Sequence, residues 1–366
     1  MPNYNLPGAN PAGNRHKMPA QITSSAPGSI QFSPNFYRYF CALTNHSTAA
    51  FVPLQEQIVN TVIRSSKKMT VQGHSENYFG EYRNFWWNKG FLNLMAKRLN
   101  LSQHHSLLDV GCGQCHWSKL LVPYLGKPAY VTGVDNDAKW AAEDPEIRAY
   151  FHYHQAAFEA VEGNAQTLPF ADNSFDMVTC QTLLIHVPNP KRAIAEMKRV
   201  LKPGGILLCA EPNNLVQTLI KNSLSATDDI DEVLDHVKYA LICERGKKRL
   251  GQGDNSVGDL VPGMMAEAGL QDIEVRISDK AIPMYPPYNT REQQAALKQW
   301  SSGSAWQGTQ YSDYDFFRAF GEEYMHFYEE YRAHYGSSGD RMQEAIEEKE
   351  YHSAGGAIMY LISGVK

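Results

Sequence analysis

The strongest constraint on the fold is a regular alternation of short apolar runs with helical stretches in the middle of the chain. The apolar runs are, in chain order, "SLLDVG" (106–111), "AYVTGVD" (129–135), "FEAVEGN" (158–164), "FDMVTCQ" (175–181) and "GILLCAEP" (205–212). Helical stretches such as "HWSKLLVPYL" (116–125) and "PKRAIAEMKRVL" (190–201) separate them. Strands that alternate with helices predict a parallel sheet covered by helices on both faces.

The pattern continues beyond residue 255. A helix is predicted over 260–270, ended by Gly269, and strands are predicted over 271–281 and 356–366. We therefore assign residues 106–281 and 352–366 to one core domain. Residues 213–255 and 282–351 are insertions into it, and we expect them to form a lid over a substrate.

The N-terminal part differs in composition. Residues 1–34 are rich in Pro, Gly, Ser and Asn, and they predict a disordered tail that buries too little apolar surface to fold. Residues 35–105 contain helical stretches dense in aromatic residues, and they predict a helical cap.

Composition limits the functional class. Charged residues make up 20% of the chain, the formal net charge is -5, and no apolar run approaches the length of a membrane span. We therefore expect neither a nucleic-acid partner nor a membrane. The six cysteines lack the spacing of a disulfide framework, which favours reduced thiols and a cytoplasmic protein.

The segment "LLDVGCGQCHWSKLL" (107–121) allows four interpretations. Cys112, Cys115 and His116 match a haem-attachment motif or a metal-binding group, and the two cysteines alone match a thioredoxin-like motif. Gly111 and Gly113 match the start of either a dinucleotide loop or an S-adenosylmethionine loop. A missing export signal weakens the haem interpretation, and small residues in a tight turn remain the plainest explanation of the cysteines.

The surroundings of the two glycines favour one cofactor. The nicotinamide motif needs a third glycine at 116, where His116 stands, and the S-adenosylmethionine motif needs one at 115, where Cys115 stands. Asp109 lies two residues before the first glycine, as the second motif requires. Asp135 ends the next strand, where a carboxylate binds ribose hydroxyls in both kinds of site.

Residues 75–281 resemble the class I S-adenosylmethionine-dependent methyltransferases, of the small-molecule type similar to ubiquinone/menaquinone C-methyltransferases. The resemblance rests on five segments in order: "LLDVGCGQC", "VTGVDND", "EGNAQTLPFADNSFDMV", "IHV" and "RVLKPGGILL". It implies a Rossmann-like α/β fold with a mostly parallel seven-stranded sheet, an antiparallel last strand and helices on both faces. It also implies S-adenosylmethionine as methyl donor.

The resemblance implies a set of cofactor-binding residues. Gly111 and Gly113 would lie against the methionine part, with Asp109 before them, and Asp135 would hold the ribose. The adenine would lie between Asn136, Asn164 and Ala165. The methionine moiety would lie near Gln181, Tyr78 and Arg83.

The acceptor side is less determined. Glu211 and His186 follow strands at the edge where ligands bind, and we consider them as catalytic acids or bases. Expected substrate contacts are Trp87, Asn213, Tyr285 and Tyr288. No metal is expected.

We expect methyl transfer to nitrogen or oxygen of a small metabolite, such as an amine or guanidine compound. The alternatives are C-methylation of a quinone- or keto-acid-like substrate, an S-adenosylmethionine-binding protein without transfer activity, and a nicotinamide oxidoreductase. A homodimer through the N-terminal helices is a further hypothesis.

Overall fold

The computed structural model describes residues 80–141, 144–301, 311–336 and 338–366. These residues all belong to the second of two compact units, Thr70–Lys366. The predicted tail, the cap residues 35–79 and Tyr78 lie outside the described residues. Among the described residues, no helix is long and apolar enough to cross a bilayer.

Seven strands form one sheet. They are β1 (Ser106–Val110), β2 (Ala129–Asp135), β3 (Ala156–Glu162), β4 (Phe175–Gln181), β5 (Leu201–Asn213), β6 (Gln271–Ile277) and β7 (Ile358–Val365). The order across the sheet is β3-β2-β1-β4-β5-β7-β6. Strands β1 to β5 pair in parallel, whereas β7 runs antiparallel to both β5 and β6. The predicted fold class, including the antiparallel last strand, is confirmed.

Helices cover both faces of the sheet. They are α1 (Lys89–Arg98), α2 (His116–Leu121), α3 (Pro145–Tyr153), α4 (Pro190–Val200), α5 (Ile230–Arg249), α6 (Val261–Glu267), α7 (Arg291–Ser301), α8 (Asp313–Phe320), α9 (Met325–Tyr335) and α10 (Ser338–Glu347). Phe91 of α1 and Phe151 of α3 belong to one apolar cluster, and Met197 of α4 and Met265 of α6 to another. The inner strands are therefore buried on both sides, which explains their continuous apolar sequences.

Several predicted boundaries shift. Strand β3 begins at Ala156 and ends before Gly163, because the Gly163 amide donates instead to Asp135 O at 2.8 Å in the adjoining turn. Strand β5 begins at Leu201, four residues earlier than predicted, because Leu201 pairs with Phe175. The predicted helix over 260–270 is a short 3-10 turn, Val257–Leu260, followed by α6.

The two insertions pack against each other through aromatic side chains. Helix α5 of the first insertion and α8 of the second share a buried cluster that includes Cys243 and Phe317. Tyr239 Oη donates to Asp313 Oδ2 at 2.8 Å across this contact. The aromatic stretch at 311–335 is two helices, because the chain turns at Gly321 between α8 and α9. Helices α5 and α8 therefore join the two insertions through this cluster.

Candidate cofactor site and acceptor cavity

The loop between β1 and α2 turns tightly at the carboxyl edge of the sheet. Gly111 has φ 71° and Gly113 φ 45°, in the left-handed region that favours glycine. The amides of Gly111 and Cys112 both donate to Val134 O, at 2.7 and 3.2 Å, which holds the loop against β2. Backbone without side chains is thus presented where a ligand can approach closely.

Cys115 occupies the place of the third glycine and adopts a left-handed conformation itself, with φ 58°. Its side chain is 1% exposed, and Cys112 is also buried. The hydrogen bond with Cys115, together with burial, holds the pKa of the Cys112 thiol well above its usual range, which disfavours thiolate chemistry. His116 Nε2 lies 3.1 Å from Gln114 Oε1. Within the described residues, no three His, Cys, Asp or Glu side chains are grouped to hold a metal.

Asp135, at the end of β2, joins the loop to the next strand. Its Oδ2 accepts from the Gly113 amide at 3.0 Å, and its Oδ1 accepts from the Asp137 amide at 3.1 Å. Each carboxylate oxygen keeps a second lone pair, so the group can still accept from two ribose hydroxyls. Burial raises the pKa of this carboxyl, and the backbone amides oppose that shift. The Asp135 carboxylate therefore fits the ribose of S-adenosylmethionine as a hydrogen-bond acceptor.

Asp109 is buried beneath the glycine loop and is not accessible at the protein surface. The side chain is 1% exposed, and its Oδ2 accepts from the Ser118 amide at 3.2 Å. Burial raises the pKa of this carboxyl to about 7. The expected cofactor contact is therefore revised: Asp109 positions the start of α2 against β1.

The other expected cofactor residues line the same edge. Asn136 is exposed directly after β2, and Asn164 is exposed after β3, where its Oδ1 accepts from the Gln166 amide at 2.8 Å. Ala165 packs on the neighbouring core, and Gln181 ends β4 beside β1. The strand order thus brings together residues that are separated by up to 45 positions in the sequence.

Arg83 lies in a 3-10 helix, Gly80–Phe85, that precedes α1. Burial is the main cause that lowers the pKa of His116 to about 4, and the positive charge of Arg83 is the second cause. Arg83 also lines the cavity described below, and its guanidinium lies 5.6 Å from the ring centre of Trp86. Arg83 thus lies in the cavity wall and within electrostatic range of His116 at the start of α2.

A cavity of about 660 Å³ opens beside the carboxyl ends of β4 and β5. The 3-10 helix contributes Tyr82 and Trp86, and the segment after β4 contributes Thr182 and His186. Both insertions complete the wall, with α5 on one side and Trp300 of α7 on another. A volume of this size suits a small-molecule acceptor.

His186 lies in this wall, as expected for a residue after β4. It ends a short 3-10 turn, Leu184–His186, and its neighbour Ile185 accepts a hydrogen bond from Lys247 Nζ at 3.0 Å. Lys247 of α5 is 3% exposed, and burial lowers its pKa to about 8. The first insertion therefore fixes the segment that carries His186.

Glu211 is fully buried and is absent from the cavity wall. Its Oε1 accepts from the amides of Leu183 and Leu184, both at 2.9 Å, and burial raises the pKa of the carboxyl to about 7. Its Oε2 has no hydrogen-bond partner within the described part of the chain. Direct catalysis by Glu211 is therefore revised to positioning of the segment after β4.

The four expected substrate contacts lie elsewhere. Trp87 is 5% exposed and packs on Trp117, with ring centres 4.9 Å apart, while its neighbour Trp86 lines the cavity. Asn213 donates to Asp259 Oδ2 at 2.6 Å, and Asn214 takes the place in the wall.

The two tyrosines are also revised. Tyr288 is buried and donates to Tyr351 O at 2.8 Å. Tyr285 is exposed beside a separate, smaller cavity near Asn222. The "IPMYPPYNT" segment thus packs the second insertion, and only its first residue, Ile282, reaches the acceptor cavity.

Sequence reasoning missed the cavity residues of α5. Tyr239, Ala240, Cys243 and Glu244 all line the wall, because positions i, i+1, i+4 and i+5 share one face of a helix. That spacing is visible in the sequence, but the partner of this face is not.

Comparison with known proteins agrees with the cofactor half of the site. Residues 108–209 match the family described as "Methyltransferase domain". The demethylmenaquinone methyltransferase of Listeria monocytogenes serotype 4a is 37% identical over 130 residues, covering 35% of this chain and 52% of that protein. The Bacillus velezensis enzyme of the same name is 32% identical over 155 residues, covering 41% and 66%. The chain thus spans about half the length of the first relatives that it matches.

Solved structures are similar at a lower level. The YcgJ protein of Bacillus subtilis has a TM-score of 0.40 at 19% identity, covering 76% of this chain and 99% of that one. Phosphoethanolamine N-methyltransferase 2 of Haemonchus contortus, in complex with S-adenosyl-L-methionine, has a TM-score of 0.40 at 16% identity, covering 82% and 58%.

The seven-stranded sheet, the glycine loop with Asp135 beside it and the matched segment coincide in one region. Residues 108–209, which contain this loop and Asp135, are therefore similar to a methyltransferase domain and lie in a sheet of the expected class.

Proposed function

We propose that the protein transfers a methyl group from S-adenosylmethionine to a small molecule bound in the cavity of about 660 Å³. The carrying observation is the position of this cavity at the carboxyl ends of β4 and β5, the edge of the sheet that also carries the glycine loop. The donor supplies an electrophilic methyl group, to which the acceptor's lone pair bonds while the carbon–sulfur bond breaks and leaves S-adenosylhomocysteine.

The protein's own residues supply binding and alignment. Asp135 holds the ribose, and Gly111 and Gly113 lie against the methionine part. Arg83 binds the methionine carboxylate, and the insertions exclude water from the acceptor. Alignment of this kind lowers the barrier of an in-line displacement by as much as about 7–11 kcal/mol. His186 is half-buried in the wall and is our candidate for accepting a proton from a hydroxyl acceptor.

We favour N- or O-methylation of an amine, guanidine or hydroxyl compound. The family match ends at residue 209, whereas most of the cavity wall comes from residues beyond it. Similarity within residues 108–209 therefore supports the identity of the methyl donor more than that of the methyl acceptor.

C-methylation of a quinone- or keto-acid-like substrate is the second candidate. It is favoured by relatives named demethylmenaquinone methyltransferase. An S-adenosylmethionine-binding protein without turnover is the alternative from another class.

Calorimetric titration with S-adenosylmethionine and S-adenosylhomocysteine tests the donor. We expect micromolar binding at one site per chain, and no binding of either would refute the proposal. Mass-spectrometric detection of S-adenosylhomocysteine with amines, alcohols and quinols as acceptors then separates the candidates. Tight binding without product from any acceptor class would support the inactive alternative.

A further inference from the structure

The acceptor cavity contains one carboxylate. Among the described residues, Glu244 of α5 is the single acidic side chain in the wall. The same wall carries aromatic rings, including those of Tyr82, Trp86, Tyr239 and Trp300. A carboxylate among aromatic faces is the combination that attracts an organic cation.

Glu244 is held in a defined orientation. Ser256 Oγ donates to Glu244 Oε1 at 2.5 Å, and the same hydroxyl accepts from the Leu215 amide at 2.9 Å. Because the Leu215 amide occupies the acceptor side of the hydroxyl, the Ser256 proton is directed to the carboxylate. Within the described part of the chain, no other hydrogen bond to Glu244 is found, so Oε2 can receive one from a ligand.

The positively charged side chains in and near the wall make other contacts. Lys280 Nζ lies 2.9 Å from Glu292 Oε1, which neutralises it within the second insertion. Arg83 faces Trp86 and the vicinity of the glycine loop, where the proposed function uses it for the cofactor's carboxylate. Lys247, one turn beyond Glu244, directs its Nζ to Ile185 O and Asn255 Oδ1.

We propose that Glu244 binds the ammonium group of the methyl acceptor, so that the substrate is a primary or secondary amine with an apolar or aromatic body. This inference rests on the proposed function and narrows it to N-methylation. Glu244 Oε2 accepts from the ammonium, and the aromatic wall covers the remainder of the molecule.

Methyl transfer requires the neutral amine. The ammonium passes one proton to the Glu244 carboxylate, and the lone pair so released bonds to the methyl carbon as the carbon–sulfur bond breaks toward sulfur. Burial raises the pKa of Glu244, more than the hydrogen bond from Ser256 lowers it, and this favours the proton transfer. The products are S-adenosylhomocysteine, a methylated ammonium and a protonated Glu244, which conserves the total charge.

Three probes of similar size test the proposal: phenethylamine, 2-phenylethanol and phenylacetate. Each is titrated into the protein saturated with S-adenosylhomocysteine. We expect phenethylamine to bind most tightly and Glu244→Gln to weaken it at least about tenfold, the loss typical of a hydrogen bond to a charged group. The alcohol should bind about equally to wild type and variant, and phenylacetate should bind more tightly to the variant because a like charge is removed from the wall.

Glu292→Gln is the matched control, because it removes a carboxylate that lies outside the wall. It should weaken phenethylamine binding far less than Glu244→Gln does, because the amine does not contact Glu292, and should strengthen phenylacetate binding by releasing Lys280. Ser256→Ala keeps the Glu244 charge but loses its orientation, and should weaken the amine several-fold.

The wild-type preference for the amine tests the proposal even if Glu244→Gln fails to fold. Equal binding of the three probes, tighter binding of phenylacetate, or absence of amine binding while S-adenosylhomocysteine binds would overturn the role of Glu244. Failure of S-adenosylhomocysteine itself to bind would instead overturn the proposed function.

Discussion

The carboxylate of Asp135 accepts a hydrogen bond from the Gly113 amide at 3.0 Å, so one side chain both anchors the glycine loop and faces the proposed ribose position. Asp135→Ala should weaken S-adenosylmethionine binding by about 3 kcal/mol, or more than about 100-fold, because two hydrogen bonds to a charged group are lost. Calorimetry measures the change. Asp137→Ala, two residues away and paired with Lys139, is the control and should bind normally. Unchanged affinity of Asp135→Ala would remove the ribose from this position.

Gly253 packs directly on the segment that carries His186. A Cβ at Gly253 would lie 2.2 Å from Ile185 O, and the residue has φ 88°. Gly253→Ala should therefore lower the free energy of unfolding by more than about 2 kcal/mol and reduce kcat by displacing His186. Gly251→Ala is the matched control, since its φ is 70° but nothing lies within 4 Å of the added Cβ. It should cost only about 1–2 kcal/mol of backbone strain. Equal melting temperatures of the two variants would contradict the close packing.

The buried carboxyl of Glu211 predicts a specific pH dependence. Its pKa rises from 4.5 to about 7 on folding, so between these values the folded state binds more protons than the unfolded state. The free energy of unfolding should therefore fall as pH rises through this window, by an amount on the order of 1–3 kcal/mol.

Glu211→Gln removes this contribution while leaving the effect of Asp109, which has the same direction, in both proteins. The melting temperature of the variant relative to wild type should rise steadily from pH 5 to pH 8. Glu162→Gln, an exposed glutamate at the end of β3, should show no such trend. Parallel curves for wild type and Glu211→Gln would disprove the assignment.

Cys115 permits a test of the glycine loop itself. Cys115→Gly relieves the strain of the left-handed backbone, which stabilises the folded protein. It also removes a buried side chain and raises the entropy of the unfolded chain, and both effects destabilise the folded protein. Each contribution is about 1 kcal/mol. We expect S-adenosylmethionine affinity within about threefold of wild type. A collapse of binding or activity would return the thiol to a functional role.

The local pattern of the sequence was enough to predict the strands beside the glycine loop. Strand β2 ends at Asp135 and β4 at Gln181, as predicted, because a short, largely apolar run bounded by turn residues is decided by nearby residues. Gly111 and Gly113 were identifiable because their backbone conformation excludes most side chains. Asp109 was expected to contact the cofactor, but its burial, which the sequence does not reveal, gives it a structural place beneath the loop.

The acceptor half depends on contacts between distant segments. Glu211 was expected in the active site because it ends a strand, yet its side chain turns to the amides of Leu183 and Leu184, 28 and 27 residues earlier. Tyr285 and Tyr288 lie in a segment that looks like a pocket wall, but packing against Tyr351 directs it elsewhere.

The sequence by itself determined the order of strands and helices along the chain, the mostly parallel sheet, and the positions of the glycine loop and Asp135 at its carboxyl edge. Each of these follows from short-range periodicity and from residues whose conformational limits are intrinsic. Only the tertiary structure decided where the insertions pack, and hence that Glu244 rather than Glu211 faces the acceptor cavity. The physical reason is that a helix face acquires its role from the residues it packs against, and the partners of α5 lie up to 95 residues away in the chain.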